Sequence, residues 1–290
     1  MSTPLITKEQ LKKWHACAEG YRWFLDKFPQ GGAYTDVLAA LTADDYYDDA
    51  RWLVDRMYDT YLNNPEFIQA ETDMTDKMVG ELTSMEHPSG QVDGENSSGD
   101  NAQIGSSGNC AQIGSSGYNA RIGSSGYNAR IGSSGDFAQI GSAGDFARIG
   151  SSGDDAQIGS SGDFARIGSS GDDAQIGSSG YNARIGSAGD FAQIGSSGDD
   201  AQIGSSGDHA RIGSSGYSAR IAATGKGSVV ACASGIECIV LGEGGCASVP
   251  WHDGKRIRIA VAYVGENGIK ANTPYYVNRQ GQFTEVTKEQ

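Results

Sequence analysis

The chain has 290 residues, 43 of them glycine, and carries a net charge of -14. That composition excludes a single large conventional core. No run approaches the ~18 apolar residues a membrane-spanning helix needs, so no membrane association is expected.

The polar start, Met1 to Gln10, has no apolar stretch of the kind a secretory signal requires. Five cysteines, an odd number spread over three regions, argue against a disulfide framework. A soluble cytoplasmic protein is expected. The charge is uneven: residues 1–100 hold 19 acidic against 8 basic side chains, 101–223 hold 11 against 7, and 224–290 hold 6 against 7. The acidity belongs to the N-terminal region, where it repels nucleic acid and favours basic partners.

From Lys8 to about Phe28, apolar residues from Leu11 to Leu25 recur at three and four, which predicts one amphipathic helix ended by Pro29-Gln30-Gly31-Gly32. A second helix is predicted over Thr35 to Leu41. A third is predicted to start after Thr42 as N-cap, with Asp44 and Asp45 in its first turn, and a last one covers Pro65 to Met85. These helices predict a small acidic bundle, residues 1–86, packed around Trp14, Trp23 and Trp52. Pro88, Gly90 and Gly94 mark a linker at 87–96.

Residues 97–249 read as a solenoid. Fourteen isoleucines, Ile104 to Ile221, stand nine residues apart in a G-S-S-G-x-x-A-(Q/R)-I unit, and each follows an alanine two positions earlier. A period this regular means that each unit buries its apolar pair by stacking on its neighbours. Beyond Ile221 the core positions are predicted at Val230, Val240 and Val249, with one extra residue near Ala231 to Gly235. Residues 250–290 predict an antiparallel β cap: a strand over Lys255 to Val264, a turn at Gly265 to Gly268 and a hairpin around Gln280-Gly281. The fold class is therefore α+β, mostly β.

Side-chain segregation fixes the coil. If two units of about 18 residues close one turn, one column is mostly glutamine, from Gln103 to Arg211, and the other mostly arginine: Gln112, Arg130, Arg148, Arg166, Arg184, Gln202 and Arg220. A three-sided coil would mix the two, so two sides are expected. DNA-level duplication of an 18-residue block gives the same segregation without selection on the surface.

Two constellations are candidate partner sites. Arg130, Arg148, Arg166 and Arg184 would stand about 4.8 Å apart, beside Phe146 and Phe164, a combination able to hold phosphates and stack bases. Asp145, Asp163 and Asp199 in the same column would offset much of that field. Asp44, Asp45, Asp48 and Asp49 put four carboxylates on little more than one helical turn, which suits a basic protein partner. The repeat resembles the calcium-binding nonapeptide of β-roll toxins in period and glycines, but its sixth position is aspartate only at Asp155, Asp173 and Asp200, so no metal is assigned. No nucleophile with a base, phosphate loop or paired carboxylate stands in its required context. Neither catalysis nor a cofactor is expected.

At Trp14-His15-Ala16-Cys17, Gly20, Trp23-Phe24 and Phe28-Pro29 the chain resembles a helical module found at the start of many tailed-phage and prophage proteins. The A-R-I-G-S-S-G and A-Q-I-G-S-S-G run, closed by the segment from Trp251 to Val286, is similar to a family of prophage-encoded solenoid proteins. The resemblance implies expression inside a bacterial host and supplies no catalytic site. The expected function is non-enzymatic binding of a host or phage protein through the acidic head, such as a defence or nucleic-acid-processing complex. Direct nucleic-acid binding by the arginine face, a structural virion role and homo-oligomerisation stand as alternatives.

Overall fold

A computed structural model describes residues 5–44, 46–62, 64–83 and 94–286. Five helices come first: α1 (Lys8–Lys13), α2 (Ala18–Lys27), α3 (Tyr34–Ala43), α4 (Tyr47–Tyr61) and α5 (Pro65–Thr83). Two short strands, Leu5–Ile6 and Gly32–Ala33, pair antiparallel and tie the start of the chain to the entry of α3. Tyr34, Leu38, Leu53, Met57 and Phe67 form the centre of this head.

Two helix boundaries differ from the sequence reading. The single helix expected over 8–28 is broken at His15, whose φ is 58°. A capping box of Thr7 and Gln10 opens α1; at the break the Trp14 N–H turns back to the Gln10 carbonyl to end α1, and the Cys17 sulfur accepts from the Gly20 N–H to start α2, so the break carries its own caps. Thr42 caps nothing: it lies inside α3, where its hydroxyl donates to the Leu38 carbonyl at 2.9 Å. The next helix starts at Tyr47, with Asp48 and Asp49 in its first turn.

The solenoid has two walls. Every second unit pairs in parallel with partners 18 residues away, as in Gln157↔Gln175 and Arg166↔Arg184. One sheet has 10 strands and contains the glutamine column; the other has 11 and contains the arginine column. The expected two-sided coil is what the chain forms. Residues 84–93, most of the expected linker, and Met85 with them, lie outside the described residues. The first solenoid strand is Gly94–Ser97, paired with Gln112–Ser115.

Within each strand the alternation of a pleated sheet sends Ile and the first Ser inward and Gln or Arg and the following Gly outward. The isoleucines from Ile104 to Ile221 are at most 6% exposed, and the alanines from Ala111 to Ala219 are fully buried. Between the walls, every residue at the sixth position of the unit, from Asn101 to Ser218, has a φ of 53° to 59°. Asn and Asp tolerate this left-handed geometry, whereas Phe, Cys and His cost about 1 kcal/mol each. The aspartates before them act within the fold. Asp136 accepts the N–H of Asp154 at 3.1 Å and Asp145 that of Asp163 at 2.9 Å, each fixing the next turn of the coil.

Beyond Ile221 the register differs from the expected one. The inward partner of Ile221 is Ile239, and Val240 follows Gly204 and Ala222 on the outward column of the arginine wall. Val230 pairs with Ala247, so Ala247 and not Val249 takes the isoleucine position there, although both are buried. The expected extra residue is not there: Ile239 follows Ile221 by the usual 18 residues, with Glu237 bulged opposite Ala219 and Arg220, and Ala247 follows Val230 by only 17. A repeat count alone cannot separate these registers, because the inward–outward alternation is lost in the continuous apolar run Ile239-Val240-Leu241. The cap is antiparallel: Ile257–Tyr263 pairs with Cys246–His252, and Pro274–Val277 closes the arginine wall on Ile236–Leu241 and pairs with Phe283–Glu285.

Candidate functional site

Helix α5 lies along the arginine wall. Nineteen residues span about 28 Å, and the seven wall strands it touches, from Gly94–Ser97 to Gln202–Ser205, span about 29 Å. One helical turn thus advances by nearly one rung. Ile68, Thr72, Thr75 and Val79, spaced four, three and four, meet the outward glycines Gly204, Gly186, Gly168 and Gly150 in turn. A Cβ on Gly150 would collide with Thr75 Cγ2, and one on Gly168 would stand 2.6 Å from Thr75 Oγ1. Glycine here makes a gutter that admits a helix. Where the gutter ends, Ala222 and Val240 replace glycine and pack into the apolar core of the head.

Charge completes the fit. Arg166 donates to Glu71 at 2.7 Å, and Glu71 also accepts from the Tyr34 hydroxyl at 2.6 Å. Arg184, 2% exposed, pairs with Asp55 on α4. Arg220 donates to Asp59 at 2.6 Å and grips Glu237 with two nitrogens. Ser170 donates to Asp76 at 2.8 Å. Burial works against the Arg166 charge, yet Glu71 together with Tyr34 and Tyr58 more than offsets it and holds the group above its ordinary value. Desolvation first, and then the Glu71 charge, raise the Tyr34 hydroxyl well above the usual phenol range. The expected offset of the arginine field by Asp145, Asp163 and Asp199 is not what the structure shows: their side chains accept rung N–H groups, and the offsetting acids come from the head.

The candidate residues separate accordingly. Arg166 and Arg184 are engaged by the head. Arg148 lies between Arg130 and Arg166 in the ladder, and its guanidinium makes neither an ion pair nor a hydrogen bond among the described residues. Its burial and those two cationic neighbours push it down to about 10, so it stays charged at neutral pH. Phe146 and Phe164 stack at 5.1 Å, and Arg51 of α4 lies over both, 4.6 and 4.9 Å from their centroids. The acidic tract does not act as one cluster. Asp44 accepts from Trp23 Nε1 and pairs with Lys27 at 2.9 Å, which lowers its carboxyl pKa. Asp49 accepts from the Cys17 thiol at 3.3 Å, Asp48 is exposed, and Asp45 lies outside the described residues. Glu71, Asp55, Asp59 and Arg51 are not among the sequence candidates. The available signal is the spacing of Ile68, Thr72, Thr75 and Val79 beside an acidic residue at each turn. Among the described residues no cluster of three metal-ligating side chains occurs, and no helix is long and apolar enough to cross a membrane.

Residues 1–62, which run to the end of α4, match the family described as the YdhT N-terminal domain. The chain is 50% identical over 50 residues to "Uncharacterized protein YdhT" of Escherichia coli (strain K12), an alignment covering 17% of this chain and 18% of that relative. The chain therefore spans less than a fifth of the length of the curated relative it matches. No solved structure matches the chain. The similarity covers the head through α4 and stops short of α5 and the solenoid: the chain carries a head similar to the YdhT N-terminal domain, mounted on a two-walled β-solenoid.

Proposed function

We propose that the protein is a non-enzymatic protein-binding scaffold of phage or prophage origin. In this reading it acts in the cytoplasm of a bacterial host, where its acidic head engages a basic surface of a host or phage protein, such as a defence or nucleic-acid-processing complex. The observation that carries this reading is the use of the wall arginines inside the molecule. Arg166, Arg184 and Arg220 hold Glu71, Asp55 and Asp59, so the solenoid serves as a rigid mount and the outer surface of the head, including Asp48, faces a partner.

The test is capture of partners from bacterial cells by the full chain and by a variant carrying Asp44→Asn, Asp48→Asn and Asp49→Asn. A partner retained by the native chain, released by salt and absent from the variant supports the reading. Salt-dependent binding of single-stranded DNA by the native chain, with a slope of several ions, would favour the nucleic-acid alternative in its place.

A further inference from the structure

The head and the arginine wall enclose a cleft of about 330 Å³ between α4 and the corner aromatics. Four guanidiniums reach it, from Arg51, Arg148, Arg166 and Arg184, against the single carboxylate of Asp48. Glu71 and Asp55 neutralise Arg166 and Arg184 from outside the cleft lining. Arg148 makes no ion pair of its own among the described residues, and the carboxylate that acts on it, Glu71, is already bonded to Arg166 and Tyr34, so its charge is incompletely offset in a confined space. It also reaches the adjoining cavity of about 610 Å³, which Arg130 lines. The remaining wall of the smaller cleft is flat and aromatic: Phe146 and Phe164 stacked at an interplanar angle of 4°, with Tyr127 beside them.

We propose that this cleft is a binding site for a small phosphate-bearing molecule, with the phosphoryl oxygens on the Arg148 guanidinium and Arg51 closing over them from α4. A guanidinium presents paired N–H donors that match phosphate oxygens, and the volume suits a ligand of mononucleotide size or smaller. The site shares Asp48 with the exposed face of the head but none of the groups that would hold phosphate, so phosphate binding and partner capture are read separately.

Isothermal titration of the full chain with inorganic phosphate, adenosine 5′-monophosphate and adenosine tests this. Binding of phosphate and the monophosphate, with adenosine silent, is the expected result. Equal affinity for the two phosphates identifies free phosphate as sufficient, and tighter binding of the monophosphate assigns a contribution to the ring stack. Arg148→Gln should weaken binding at least tenfold, while Arg121→Gln on the opposite wall should leave it unchanged. Asn128→Asp places a carboxylate in the cleft at a left-handed position where other units already carry aspartate, so it should fold and still weaken binding. No heat from either phosphate at millimolar concentration, or affinity unaltered in both Arg148→Gln and Asn128→Asp, would overturn the proposal.

Discussion

Glu71→Gln tests how the head is held. The carboxylate is the one acid that receives both Tyr34 and Arg166, and the side chains of the Glu71–Arg166 pair are 6% and 20% exposed. Removing one member of a buried ion pair costs about 3–5 kcal/mol, mostly from the charge left behind. Glutamine keeps a neutral acceptor for one hydrogen bond and recovers about 1 kcal/mol. The net, about 2–4 kcal/mol, corresponds to a roughly 30- to 900-fold shift of the docked equilibrium toward opening. Amide hydrogen exchange reads this directly: α5 and the wall strands Arg148–Ser151 and Arg166–Ser169 should lose protection by that factor, while the glutamine wall keeps its own. A double-mutant cycle with Arg166→Gln should give a coupling above about 1 kcal/mol. Protection unchanged within twofold, or single effects that simply add, would refute the reasoning.

The two glycine columns give a paired test. Gly168→Val should undock the head, at about 1–3 kcal/mol for overpacking, whereas Gly159→Val, where a Cβ meets nothing within 4 Å, should change the melting temperature little; equal effects would place α5 elsewhere. Cys232 is buried, and burial pushes its thiol up to about 12. At pH 8 iodoacetamide should label the exposed Cys110 rapidly and Cys232 only on unfolding, as peptide mass spectrometry would show. Asp253 accepts from the backbone N–H groups of Arg256 and Lys255 and from Arg258, which hold its carboxyl down at about 2. Because the folded value lies below the ordinary one, its contribution to the cap is present above about pH 4 and is lost as the pH falls toward 2. Carboxyl NMR should find that midpoint, and Arg258→Ala should raise it.

The nine-residue isoleucine period and the segregation of Gln from Arg are enough to read the coil, its two walls and its parallel stacking. Those features depend on periodicity, which a sequence displays without ambiguity. The break at His15 is hidden because Leu11, Trp14, Ala18 and Tyr21 keep helical spacing across it, and only a left-handed residue at position 15 interrupts the pattern. Val240 reads as interior because an unbroken apolar run carries no alternation. The arginine ladder is visible as a chemical feature but its partner is not. Nothing local in Arg166 points to Glu71, 95 residues earlier; the link is tertiary, set by the match between helix pitch and rung spacing. Phe146 and Phe164 stand out by their place beside the arginines, yet the cation over them, Arg51, comes from the head.

Helix α5 occupies the glycine gutter of the arginine wall. A Cβ on Gly168 would stand 3.0 Å from Thr75 Cβ, close to the ~3.5–4.5 Å of a disulfide. Oxidation of the Thr75→Cys, Gly168→Cys double variant, followed by peptide mapping, should give the crosslink in high yield. The Thr75→Cys, Gly159→Cys pair should give none. A crosslink through residue 159, or none through residue 168, would contradict the account.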